Sequence, residues 1–61
     1  MNPGDPVMVR ERHPRRATVV ELGTSRAPSG DPIDVVLVEF PRGHRRWVFQ
    51  HQVEPIGQVA A

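Results

Sequence analysis

Polar and apolar residues alternate along most of this chain with the two-residue period of strands. Val7 and Val9 interleave with Met8 and Arg10 in a strand predicted at about residues 6–11. A second, at about 16–22, turns Ala17 and Val19 inward, and Leu22 is expected to rejoin them after a bulge near Glu21. In a third, at about 33–40, Val36, Val38 and Phe40 share one face while Val35, Leu37 and Glu39 share the other. The fourth and fifth fall at about 45–49 and 53–56. No segment carries an apolar i, i+3, i+4, i+7 stripe of useful length. Ten valines, with Ile33, Ile56 and Thr18, supply the β-branched side chains that suit a pleated surface. The fold class is therefore all-β with five strands.

Seven prolines and five glycines set the connections. Residues 23–32 read as a long polar loop. Phe40-Pro-Arg-Gly43 has proline second and glycine fourth, the preferences of a type I turn. Pro14 holds His13 away from helical angles. Gln50-His-Gln52 is long enough for one 3-10 turn before the last strand. One domain spans residues 1–61, with its core at about 4–56 and a frayed tail at 57–61.

Four pieces of the chain carry a resemblance: Gly4-Asp-Pro-Val7, Ala17-Thr-Val19, Val36-Leu-Val-Glu-Phe40 running into Pro41-Arg-Gly43, and Val53-Glu-Pro55. Together they resemble an SH3-like small barrel of the Tudor or KOW kind. That resemblance implies a five-stranded barrel with a short 3-10 turn before its last strand. The departures bear on function. Tudor domains that read methylated side chains use a cage of several aromatics, and here there are only Trp47, Phe40 and Phe49, with Phe40 assigned to the core. KOW motifs carry a glycine pair at the first turn, where this chain has His13-Pro-Arg-Arg16. The layout is also similar to the SH3-like type II dihydrofolate reductases. Their substrate-binding Val-Gln-Ile-Tyr stretch has no counterpart in Arg45-Arg-Trp-Val-Phe-Gln50, so the enzymatic implication is not carried over.

Charge changes the picture more than composition does. The chain has 61 residues and a net charge of only +1, with no lysine and no cysteine. Disulfides and cysteine-ligated metals are thereby excluded. No long apolar run marks a membrane span, and the start lacks the basic and apolar regions of a signal peptide, so a soluble cytoplasmic protein is the expectation. Seven of the eight arginines fall in two stretches, residues 10–16 and 41–46, which contain one glutamate and carry +6. The remaining arginine and six acids carry −5. In an antiparallel meander alternate connections lie at one end, so the first and third connections would form a basic pole.

A phosphate-contacting surface follows from that pole. Arg10, Arg12, Arg15, Arg16, Arg42, Arg45 and Arg46 would contact the backbone of DNA or RNA, with binding that falls steeply with salt. Trp47 would stack on unpaired bases. The alternative is a protein-interaction module, of the kind a small accessory or phage protein uses. Its face would be Val35, Leu37, Trp47 and Phe49, and a homodimer through that face is a further expectation. His13 and His44 lie in the two basic turns, where protonation would add charge to the pole. With Glu11 they fall short of a usual ligand set among repelling arginines, so no metal or other cofactor is expected. No serine, histidine and acid constellation suggests catalysis, and no membrane partner is expected.

Overall fold

The structure, a computed structural model, describes residues 1–56; the tail expected at 57–61 lies outside them. It contains β1 (Pro6–Val9), β2 (Arg15–Arg26), β3 (Pro32–Glu39), β4 (Arg45–Phe49) and β5 (Val53–Pro55). A 3-10 turn at Gln50–Gln52 precedes β5, where the sequence predicts it. All neighbouring strands are antiparallel, in one sheet of order β4-β3-β2-β1-β5. The all-β, five-stranded reading therefore holds. The sheet is open, because no ladder joins β4 to β5 among the described residues, so it is not a closed barrel.

Alternation builds the core. Val7 stands opposite Ala17, Val9 opposite Val53, Val19 opposite Val38, and Val36 opposite Val48. Paired residues share a face of the sheet, so these valines converge with Phe40 into one buried cluster. Val7, Val9, Val36 and Val38 are fully buried, and no polar or charged residue is buried among the described residues. Burying a valine side chain contributes roughly 1.5–3 kcal/mol before the entropy of ordering it is counted, so such alternation can hold a domain that lacks staples.

The bulge falls between Val19 and Glu21, as expected near Glu21, and leaves Val20 as the extra residue. The inner row of β2 thus passes from Ala17 and Val19 to Leu22, which stands opposite Val36. Leu22 nevertheless stays 44% exposed and does not join the core. It sits at the rim of the buried cluster, the last inner-row position of β2 opposite a core residue.

The extension of β2 and β3 replaces half of the loop expected at 23–32. Gly23 pairs with Val35, Thr24 with Asp34, Ser25 with Ile33 and Arg26 with Pro32. Only a tight turn remains, in which Ala27 N–H donates to Asp31 C=O at 2.8 Å and Gly30 N–H to Ala27 C=O at 2.8 Å. The β3–β4 turn has the same bonds: Phe40 N–H to His44 C=O at 2.7 Å, and Gly43 N–H to Phe40 C=O at 2.8 Å. Both turns have a proline after the first residue and a glycine in the left-handed region, at φ +93° for Gly30 and +88° for Gly43. This is a three-residue hairpin loop, a type I turn closed by a left-handed bulge residue. Gly43→Ala is expected to lower the unfolding free energy by about 1 kcal/mol, because a Cβ is strained at that φ. Chemical denaturation measures it, and an unchanged midpoint would contradict this turn geometry.

Candidate nucleic-acid interface

Phe40, one residue past β3, continues its inner row and is almost fully buried, yet three polar side chains gather on its ring. The Arg15 guanidinium lies 4.2 Å from the ring centroid and that of Arg46 lies 5.4 Å from it. The His44 ring stacks alongside at 6.0 Å. The ladder explains why the arginines reach it. Arg15 opens β2 opposite buried Val9, and Arg46 stands in β4 opposite buried Val38, so both point to the core side. An arginine plane over an aromatic face is attracted by the ring quadrupole. Glu11, in the first connection, pairs with Arg46 and lies 4.0 Å from Arg15. The connections at 10–14 and 41–44 therefore meet at one end of the sheet.

The seven arginines expected at the pole divide into two groups. Arg15 and Arg46 are held by Glu11 and Phe40, and Arg46 Nε is buried with no hydrogen-bond partner. Arg45, on the outer face, is paired with Glu39 at 2.7 Å. These three are partly neutralised. Arg10, Arg12, Arg16 and Arg42 are exposed and have no carboxylate within 4.0 Å among the described residues. Arg12 and His13 line an open groove with Arg15, and Arg42 and His44 line a second one with Arg15 and Phe40. Arg15 is common to both, so the two connections present adjoining concave surfaces. Glu11 is the one acid bordering these two grooves.

Trp47 is not brought to this pole. It stands opposite Leu37 on the outer face, with Phe49 on the same side opposite Val35. Trp47 is 48% exposed and Phe49 43%, while Val35 and Leu37 are half-buried, so the four residues share one partly exposed face. The indole leans across Val35 onto Gly23, away from the arginine end. A Cβ at Gly23 would lie 3.1 Å from the indole Cζ3 and 3.2 Å from Cη2. Gly23 is thus the seat of the ring rather than the start of a loop, and its φ lies outside the left-handed region. On the same face Glu21 stands opposite Leu37 on β2, and Glu39 stands opposite Arg45. Phe49 stacks on His51 at 5.5 Å with 7° between planes.

Three contributors were not legible as site residues: Glu11 as the acid joining the connections, Phe40 as the ring beneath two arginines, and Gly23 as the seat of Trp47. For Glu11 a signal existed, since it is the only acid in the basic stretches and stands four residues before Arg15. No family model, curated protein or solved structure matches the chain.

Gly23→Ala is expected to lift the indole off the sheet and shift Trp47 fluorescence to longer wavelength. An unchanged spectrum would contradict the seat. Glu11→Gln is expected to destabilise the domain by about 1 kcal/mol, because the ion pair it loses is partly shielded and ties the first connection to β4. Thermal denaturation at two salt concentrations measures it, and a loss as large in high salt as in low would argue against an ionic origin.

Proposed function

We propose that this protein is a small nucleic-acid-binding module that contacts the phosphate backbone through its arginine pole. One observation carries the reading. Arg12 and Arg42, from different connections, border adjoining grooves, and the acid beside them is already engaged by Arg46 and Arg15. Arginine presents a planar fork that matches phosphate oxygens. Guanidiniums spread over one end of a domain can bind successive phosphates and release the counterions condensed there. Arg10 and Arg16 extend the contact along the outer row of β1 and β2, where Arg16 stands opposite Met8. Arg15, Arg45 and Arg46 contribute field and shape more than direct contact. Base stacking by Trp47 is secondary in this reading, since its ring leans from the pole.

The strand order, the β1–β5 pairing and the 3-10 turn before β5 support an SH3-like architecture as the scaffold of that pole. No helix among the described residues is long and apolar enough to cross a membrane. A second reading, a protein-interaction module, is favoured by the exposure of Trp47 and Phe49 beside Val35 and Leu37. It uses a different surface from the pole, so single-site variants separate the two.

The test is fluorescence anisotropy with labelled single- and double-stranded DNA and RNA across a salt series. The wild type is expected to bind with a steep negative dependence on salt. Joint reversal of Arg12→Glu and Arg42→Glu is expected to weaken binding by about tenfold or more and to flatten the log–log salt slope by about 2. Circular dichroism checks that the variant is folded. Undiminished binding by the folded variant, or no binding by the wild type at low salt, would overturn the reading. Trp47→Ala is expected to leave this binding nearly unchanged and to abolish capture of a partner that uses the outer face.

A further inference from the structure

The two edges of the open sheet differ in what they offer to another strand. In an antiparallel ladder, successive residues point their N–H and C=O alternately to one neighbour and to the other. Arg10 N–H donates to Gln52 C=O at 2.7 Å and Ile56 N–H to Pro6 C=O at 3.2 Å. With the β1–β5 register, this turns the main chains of Val53 and Pro55 outward. Val53 N–H is taken by Gln50 C=O, and Pro55 has no N–H. The β5 edge therefore has no free donor. Prolines and short strands are common ways of closing an edge to aggregation.

The β4 edge is different. Phe40 N–H donates to His44 C=O, which by alternation turns Arg46 and Val48 toward β3 and Arg45, Trp47 and Phe49 outward. Phe49 N–H reaches Gln52 Oε1 at 3.3 Å, in keeping with an outward direction. The outward N–H groups of Arg45 and Trp47 have no partner among the described residues. The strand contains no proline, glycine or bulge. It borders an open groove whose lining includes Glu11, Arg46, Trp47, Phe49 and Gln52.

We propose that β4 pairs with β4 of a second copy of this chain, antiparallel, about a two-fold axis at Trp47. The sequence of the edge selects this occupant and this register. With the axis at Trp47, Arg45 stands opposite the partner copy's Phe49 on the outer face, and Arg46 stands opposite Val48 on the inner face. Each cation faces an apolar or aromatic residue, twice by symmetry, and no like charges are opposed. Directly opposite side chains are the pairs that stabilise or destabilise a ladder, and an arginine on an aromatic ring is a favourable one. Moving the axis to Arg46 sets that arginine against its own twin. Moving it to Val48 runs Arg45 against the 3-10 turn. An isologous contact of this kind closes at two subunits and uses the unsatisfied edge once. The two indoles come side by side, and the basic poles lie at opposite ends of the pair. The inference concerns the β4 edge and stands whether or not the pole binds nucleic acid.

The test uses the whole chain, without nucleic acid. Sedimentation equilibrium from micromolar to millimolar concentration is expected to show monomer and dimer. Because the chain has no cysteine, single-cysteine variants report the register cleanly. Opposite residues in a ladder bring Cα atoms within disulfide range. Trp47→Cys is expected to cross-link to itself on mild oxidation. Arg45→Cys and Phe49→Cys, mixed, are expected to give about tenfold more cross-linked dimer than either alone. A wild type that sediments as a monomer throughout would overturn the proposal, and this holds even if a cysteine variant fails to fold. A dimer in which Arg45→Cys alone cross-links as well as the mixture would overturn it too, and would point to association through another surface.

Discussion

The arrangement of this protein depends on the ring of Phe40. A small sheet that does not close leaves the end of its core open, and here a buried aromatic at that end is covered by charge. Arg15 and Arg46 lie over the ring, and Glu11 draws on both guanidiniums. Phe40 belongs to β3's approach to the second arginine connection, and Glu11 to the first. One contact thereby does two things. It finishes the apolar cluster, and it fixes two arginine-rich turns beside each other. An arginine stem can cover apolar surface while its head stays at the boundary with water, which is why charged residues serve here as a lid. The buried, unpartnered Arg46 Nε is the local cost of that position.

The fold was legible where alternation was strict. The inner rows of β1 and β3, the position of the bulge and the 3-10 turn all follow from period-two patterning and local turn chemistry. The β2–β3 connection was not. Gly23-Thr-Ser-Arg-Ala-Pro-Ser-Gly-Asp-Pro32 is polar and rich in turn formers, so it reads as a loop, although part of it is a ladder whose outer side is solvated. The correct signal was positional. Ala27-Pro-Ser-Gly-Asp31 has the same proline and glycine spacing as Phe40-Pro-Arg-Gly-His44, and the two make the same hairpin bonds. Leu22 misled for a related reason. Its inward parity is right, but it stands at the rim of the core, opposite Val36, and stays largely exposed. Whether the strands close into a barrel depends on pairing between distant edges, which periodicity does not encode.

The candidate site was legible as a clustering of charge but not as a division of labour. Counting arginines treats all seven alike. The register separates them, since Arg15 and Arg46 fall on the core side, Arg45 beside Glu39, and Arg12 and Arg42 in the turns themselves. The same register sends Trp47 toward Gly23 and away from the pole. A basic end and an apolar outer face thus occupy separate parts of a 61-residue chain.

The most direct test of the account is an NMR titration of the labelled protein with a short oligonucleotide, following backbone amides, arginine side-chain resonances and the Trp47 indole together. Resonances of both arginine connections are expected to move along one shared saturation curve, with Arg12 and Arg42 moving most and the indole nearly still. Shifts centred on Trp47, Val35 and Leu37, or confined to one connection, would contradict the claim that Phe40 and Glu11 join the two turns into a single binding pole.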